Sequence, residues 1–99
     1  MNITLNAKYI KGPVTLSKGW YSNGRLAVSI RAFDGTPVGK VTVNLPNAPC
    51  PEGEAYVKSY AENEGLAEEL LRLGLIEGPT HRVGVGYIVV DRYKIKEIT

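Results

Sequence analysis

Residues 25–45 constrain the fold more than any other part of the chain. Residues 25–33 alternate, with Leu26, Val28, Ile30 and Ala32 on one face. Asp34-Gly35 follows, a pair suited to the positive φ angles of a two-residue type I′ turn. Residues 37–45 return with Val41, Val43 and Leu45 sharing a face. With Asp34-Gly35 as the turn, Phe33 opposes Thr36, Val28 opposes Val41 and Leu26 opposes Val43. On the other side Ala27 opposes Thr42, Ser29 opposes Lys40 and Arg25 opposes Asn44. A slip of one residue would move every apolar side chain to the wrong face, so agreement at each pair predicts an antiparallel hairpin in this register.

The flanking segments add strands and one helix. Residues 3–10 alternate, with Ile3, Leu5, Ala7 and Tyr9 expected inward. Gly12-Pro13 is expected to interrupt this strand, and Val14 to Leu16 to resume it briefly. Trp20 and Tyr21, bracketed by Gly19 and Asn23-Gly24, read as a loop. The three prolines of residues 46–53 cannot donate to a ladder and predict an exposed loop. Tyr56-Val57 suits a short strand.

A helix is expected over about residues 62–73, because Leu66, Leu70 and Leu73, widened by Ala67 and Leu71, form one apolar stripe. Ser59 or Asn63 can cap it, and Gly74 fits its left-handed terminus with Leu75 packing back on Leu70. Gly78-Pro79 predicts a turn. Residues 82–90 read as an inner strand covered on both faces. Residues 91–98 place Tyr93 and Ile95 inward and Arg92, Lys94 and Lys96 outward. The sum is an α+β domain: a twisted, mainly antiparallel sheet of about five or six strands with one helix packed on a face. A curled, barrel-like sheet is the alternative.

At 99 residues, 43% of them apolar, the chain suits a single domain, 1–99, with one modest core. Cys50 is the only cysteine, which excludes an internal disulfide and fits a reducing compartment. The N-terminal residues lack the basic and apolar regions of a signal peptide, and no apolar run nears the roughly 20 residues that span a bilayer. The expected location is the bacterial cytoplasm, with no membrane partner. The start at Met1 suggests a complete short reading frame.

Sites for chemistry are sparse. With one histidine, His81, and one cysteine, the chain lacks the three or four ligands of a zinc site, so no metal or cofactor is expected. A Cys50–His81 nucleophile pair matches no local signature. Gly84-Val85-Gly86 lacks the third glycine, the Lys-Ser/Thr ending and the following helix of a phosphate loop, and reads better as a strand bulge. Glu68 and Glu69 read as a solvated helix face, with Glu68–Arg72 an i,i+4 pair. No catalytic residue is assigned. Trp20-Tyr21 is a candidate contact patch.

Charge is segregated along the chain. Residues 1–49 carry Lys8, Lys11, Lys18, Arg25, Arg31 and Lys40 against Asp34 alone, whereas residues 50–80 carry seven glutamates against Lys58 and Arg72. Such a dipolar surface can orient a charged partner.

Trp20 to Val28, Val41 to Pro46, Ala55 to Val57 and the glycine-containing run Gly84 to Tyr87 together resemble an uncharacterised family of small accessory proteins carried by bacterial phages and mobile elements. The chain departs from that pattern at Lys58-Ser59-Tyr60, where an Asp–Thr–Asn type run is expected. The resemblance implies a setting rather than an activity. In that setting a small non-catalytic domain often inhibits a host defence machine, and an anti-CRISPR protein is the sharpest form of the idea.

The expected partner is accordingly a bacterial protein complex, such as a CRISPR effector subunit. Glu64, Glu68 and Glu69 would mimic nucleic-acid phosphate, or Arg25, Arg31 and Lys40 would grip an acidic surface, with Trp20 and Tyr21 nearby. A nucleic-acid-binding module using the basic hairpin face is the alternative. Unpaired backbone groups on the edge strands leave a homo-oligomer open.

Overall fold

The computed structural model describes residues 1–96 and Ile98. It is α+β, as the periodicities predict, but its strands form two four-stranded antiparallel sheets rather than one sheet of five or six. The first sheet contains β1 (Asn2–Asn6), β2 (Lys11–Trp20), β3 (Leu26–Arg31) and β4 (Pro37–Lys40), in that order. The second contains β5 (Thr42–Val43), β6 (Glu54–Val57), β7 (Ile76–Val85) and β8 (Ile88–Ile95), in the order β5-β6-β8-β7. One helix, α1 (Leu66–Arg72), lies between β6 and β7 in the chain.

The chain changes sheets at Val41. Its N–H donates to Val28 O (2.9 Å), continuing the first sheet, while its carbonyl accepts from Lys58 N (2.7 Å), beside the second. Thr42 then offers its side-chain oxygen, not its backbone, to Val28 N (3.1 Å). The predicted hairpin therefore holds at Ser29–Lys40 but not at Leu26–Val43, because Val43 pairs with Tyr56. The turn also differs. Gly35 has φ +90° but Asp34 is not left-handed, so a type I′ turn is excluded. Gly35 N donates to Ala32 O and Ala32 N to Thr36 O, and the ladder absorbs the extra residue at a bulge beside Ile30 and Arg31.

Other elements shift for local reasons. Gly12 and Pro13 lie inside β2, opposite Leu5 and Thr4, instead of breaking it. Tyr9, expected inward, is exposed, and Ile10 is buried in its place. The helix begins at Leu66, not near 62: Ala61–Asn63 is a 3-10 turn, and Gly65, at φ +83°, turns the chain before α1. Neither expected residue is the helix N-cap, yet Ser59 Oγ still accepts from Ala67 N (3.0 Å). The helix end is as predicted. Gly74 N donates to Leu71 O and Leu75 N to Leu70 O, the paired bonds of a left-handed glycine terminus.

Gly78-Pro79 lies within β7, where the register slips between Glu77 and His81. Residues 82–90 are not one inner strand. Gly86-Tyr87 folds them into a hairpin, and β7 is a largely exposed edge.

One core unites the two sheets. Leu5, Val14, Leu16, Val28 and Ile30 from the first sheet meet Val57, Ile76 and Tyr93 from the second, with Leu66, Ala67 and Leu70 of α1 and Ile98. Burying each leucine or isoleucine contributes about 1.5–3 kcal/mol.

Candidate functional site

Alternation along the strands gives the first sheet a polar outer face. Register aligns Lys40, Ser29 and Ser17 in one row, and Pro37, Arg31, Thr15 and Asn2 in the next. Thr4 opposes Pro13, and Asn6 opposes Lys11. These rows hold three cations, small hydroxyl and amide side chains, two prolines, and no carboxylate. The opposite side chains, Leu5, Val14, Leu16, Val28 and Ile30, are buried.

Six ion pairs neutralise much of the described charge: Lys8–Glu64, Lys58–Glu62, Arg72–Glu69, Arg82–Asp91, Arg92–Glu54 and Lys96–Glu77. Five of the six lie wholly within residues 54–96. Lys11, Lys18, Arg25, Arg31 and Lys40 enter none of them. Among the described residues the positive end of the charge segregation is thus largely unpaired, Lys8 excepted, and most of the negative end is engaged in ion pairs.

The expected contact residues separate accordingly. Arg31 and Lys40 are exposed on the outer face, Arg31 donating to Gly35 O (3.1 Å) and Lys40 Nζ lying 5.1 Å from the centre of the Tyr21 ring. The Tyr21 hydroxyl is engaged with Thr42 Oγ1 (3.0 Å) and Thr42 O. Tyr21 is therefore a half-buried prop for Lys40 rather than an open stacking surface. Arg25 is drawn away, since its guanidinium donates to Leu45 O (2.6 Å) and Pro46 O (3.3 Å). Trp20 ends β2 opposite Leu26, in the inward-facing alternation but past the core. There it remains 67% exposed beside a cleft of about 370 Å³ that Arg25, Cys50 and Glu52 also line.

The acidic residues do not form the expected surface. Glu64 is paired with Lys8 at 3.0 Å. Glu69 is 7% exposed, accepts from Asn6 N (3.1 Å), and takes two bonds from Arg72, whose guanidinium holds its carboxyl below the ordinary range. Arg72 thus pairs at i,i+3 with Glu69, not at i,i+4 with Glu68. Of the three named acids only Glu68 is exposed without an ion-pair partner among the described residues.

Sequence reasoning did not anticipate how the proline loop is held. A proline cannot donate a backbone hydrogen bond, so the loop is fixed through its carbonyls. Pro49 O accepts from the Tyr56 hydroxyl (2.7 Å) and from Arg92 (2.8 Å), and Arg25 secures Leu45 and Pro46. Arg92, expected outward, is mostly buried and paired with Glu54 at 2.9 Å. Thr80 donates to the same carboxylate and contributes most to lowering its pKa. Only the proline spacing signals such an arrangement in the sequence.

Cys50 Sγ donates to Glu54 O (3.2 Å), and burial pushes its thiol pKa up, which opposes thiolate formation. His81 lies on β7 opposite Arg92, and no hydrogen bond joins it to Cys50 among the described residues. No group of three potential metal ligands occurs among those residues, and no helix is long and apolar enough to cross a membrane.

Comparison of the chain with protein-family models, curated proteins and solved structures finds no match to any of them.

Proposed function

We propose that this protein is a small non-catalytic binding module that docks on an acidic macromolecular surface through the outer face of its first sheet. The observation that carries the reading is the charge arrangement: Lys11, Arg31 and Lys40 stand among Thr, Ser, Asn and Pro side chains on one face and enter no ion pair among the described residues. Uncompensated charge of one sign speeds and orients association with the opposite sign. The resemblance to mobile-element accessory proteins supplies the setting. There the module acts as an inhibitor of a bacterial defence complex, of anti-CRISPR type, by occluding a working surface.

Within this reading the basic face is favoured over phosphate mimicry by the helix, because Glu64 and Glu69 are already paired. The alternative ligand for the same face is nucleic acid. Tyr21 offers it no open stacking surface, since its hydroxyl is bonded and Lys40 lies over its ring, whereas Phe33, two residues beyond Arg31, is 63% exposed.

The test is capture of partners from a nuclease-treated bacterial lysate on the wild-type chain and on the Arg31→Glu, Lys40→Glu double variant. A stoichiometric defence-complex subunit on the wild type and its loss from the double variant support the reading. Equal capture by both removes the basic face from it. A partner seen only when nuclease is omitted transfers the face to nucleic acid.

A further inference from the structure

The β7–β8 hairpin has a second surface that the basic face does not use. Between Arg82 and Asp91, residues 83–90 carry no charge, and Val85, Tyr87 and Val89 are exposed. β7 is the edge of its sheet. Natural edge strands are normally guarded against pairing by lysine, proline or a covering segment. Residues 83–85 of β7 have no such charge or proline.

The backbone of this edge is also open. The turn Gly86-Tyr87 makes Val85 and Ile88 the closing pair of the hairpin. Antiparallel pairs alternate between bonded and non-bonded positions. Val85 and Val83 therefore direct their N–H and C=O groups toward β8, and Gly84 and Arg82 direct theirs outward. No other backbone hydrogen bond occupies Arg82 or Gly84 among the described residues.

We propose that two copies of this chain pair edge to edge through β7, antiparallel and centred on Val83. In that register Arg82 of each copy exchanges both backbone hydrogen bonds with Gly84 of the other. Val83 faces Val83, and Val85 faces His81. The sheet then runs continuously from β5 of one copy to β5 of the other.

Charge selects a second copy as the occupant. A symmetric contact sets like residues together at its two-fold axis, so an unpaired charge there would face its own copy. The first sheet carries uncompensated cations and excludes itself. The β7 edge offers valine and glycine, and its one nearby arginine is already held by Asp91 at 2.8 Å. A register centred on Arg82 would set Arg82 against Arg82, which the register on Val83 avoids.

Sedimentation velocity over a concentration series, with site-specific cross-linking, tests the proposal. Wild-type protein is expected to show a monomer–dimer equilibrium. Gly84→Pro removes an outward N–H that the monomer does not use, so the fold is retained while two of the four bonds between copies are lost. Association should weaken by about tenfold or more, with thermal unfolding confirming an intact monomer.

In a Cys50→Ser background, Val83→Cys should oxidise to a covalent dimer, because facing non-bonded pairs have Cα atoms about 4.5 Å apart, within disulfide reach. Val85→Cys, on the same face, should not. A strictly monomeric wild type overturns the proposal, including a case in which the hairpin is protected only by a foreign protein. A dimer indifferent to Gly84→Pro, or cross-linked through Val85→Cys in preference to Val83→Cys, also overturns it.

Discussion

Asn63 is the side chain on which the junction of the two sheets depends. It is 1% exposed, and its amide donates to Lys40 O (2.6 Å) and Lys58 O (3.2 Å). One acceptor ends β4 and the other follows β6, so a single amide ties the sheets where the chain crosses between them. Asn63→Ala removes both donors and leaves two carbonyls facing a small void. Each unsatisfied buried group costs about 1–3 kcal/mol, and a carbonyl with a second lone pair lies toward the lower end, so the loss is about 2–4 kcal/mol. For a domain of this size that lowers the midpoint of thermal unfolding by about 10–25 °C.

Asn63→Asp is expected to be worse at neutral pH, since it sets a carboxylate against two carbonyl oxygens. Its deficit should shrink as pH falls, because protonation restores a donor. Burial raises the folded pKa of the introduced carboxyl above its unfolded value, so acid favours the native state of that variant. Calorimetry of the three proteins across pH measures the effect. A loss under about 1 kcal/mol for Asn63→Ala, or an aspartate variant as stable as the alanine one at neutral pH, would refute the clamp.

Thr42→Val leaves the buried Val28 N–H without its acceptor and should cost about 1–3 kcal/mol by chemical denaturation, with Thr42→Ser costing less because it keeps the hydroxyl. Arg72, and after it Asn6 N, lowers the folded pKa of Glu69 below its ordinary 4.5. The stability from this group is therefore present above that value and lost as pH falls through the depressed one. Glu69→Gln should abolish this part of the acid sensitivity in a pH series of melting curves. Arg31→Glu with Lys40→Glu should sharply reduce partner capture and flatten its salt dependence while leaving the melting temperature nearly unchanged. Glu64→Lys should alter capture by no more than about twofold.

Local periodicity carried the identity of the elements into the sequence. The alternation of residues 25–33, the Leu66–Leu70 stripe and the terminal Gly74 depend on backbone geometry within a few residues; the stripe and the glycine appear where the pattern places them, and the alternating run yields β3 over Leu26–Arg31, its last residues entering the turn. Helix onset was less legible, because Gly65 and the burial of Asn63 break the stripe for reasons of packing.

Pairing across the chain was decided only by tertiary structure. Val43 has the same period whether it faces Leu26 or Tyr56, and the choice rests on Val41 bonding to both sheets. The candidate site divides in the same way. The excess of cations in residues 1–49 is a property of composition. That Arg31 and Lys40 enter no ion pair among the described residues while Glu64 meets Lys8 and Glu69 meets Arg72 follows from which side chains the folded backbone brings within reach. The exposed edge of β7 has the same origin: its valines suit an inner or an outer strand, and only the order of the sheet leaves them at the boundary.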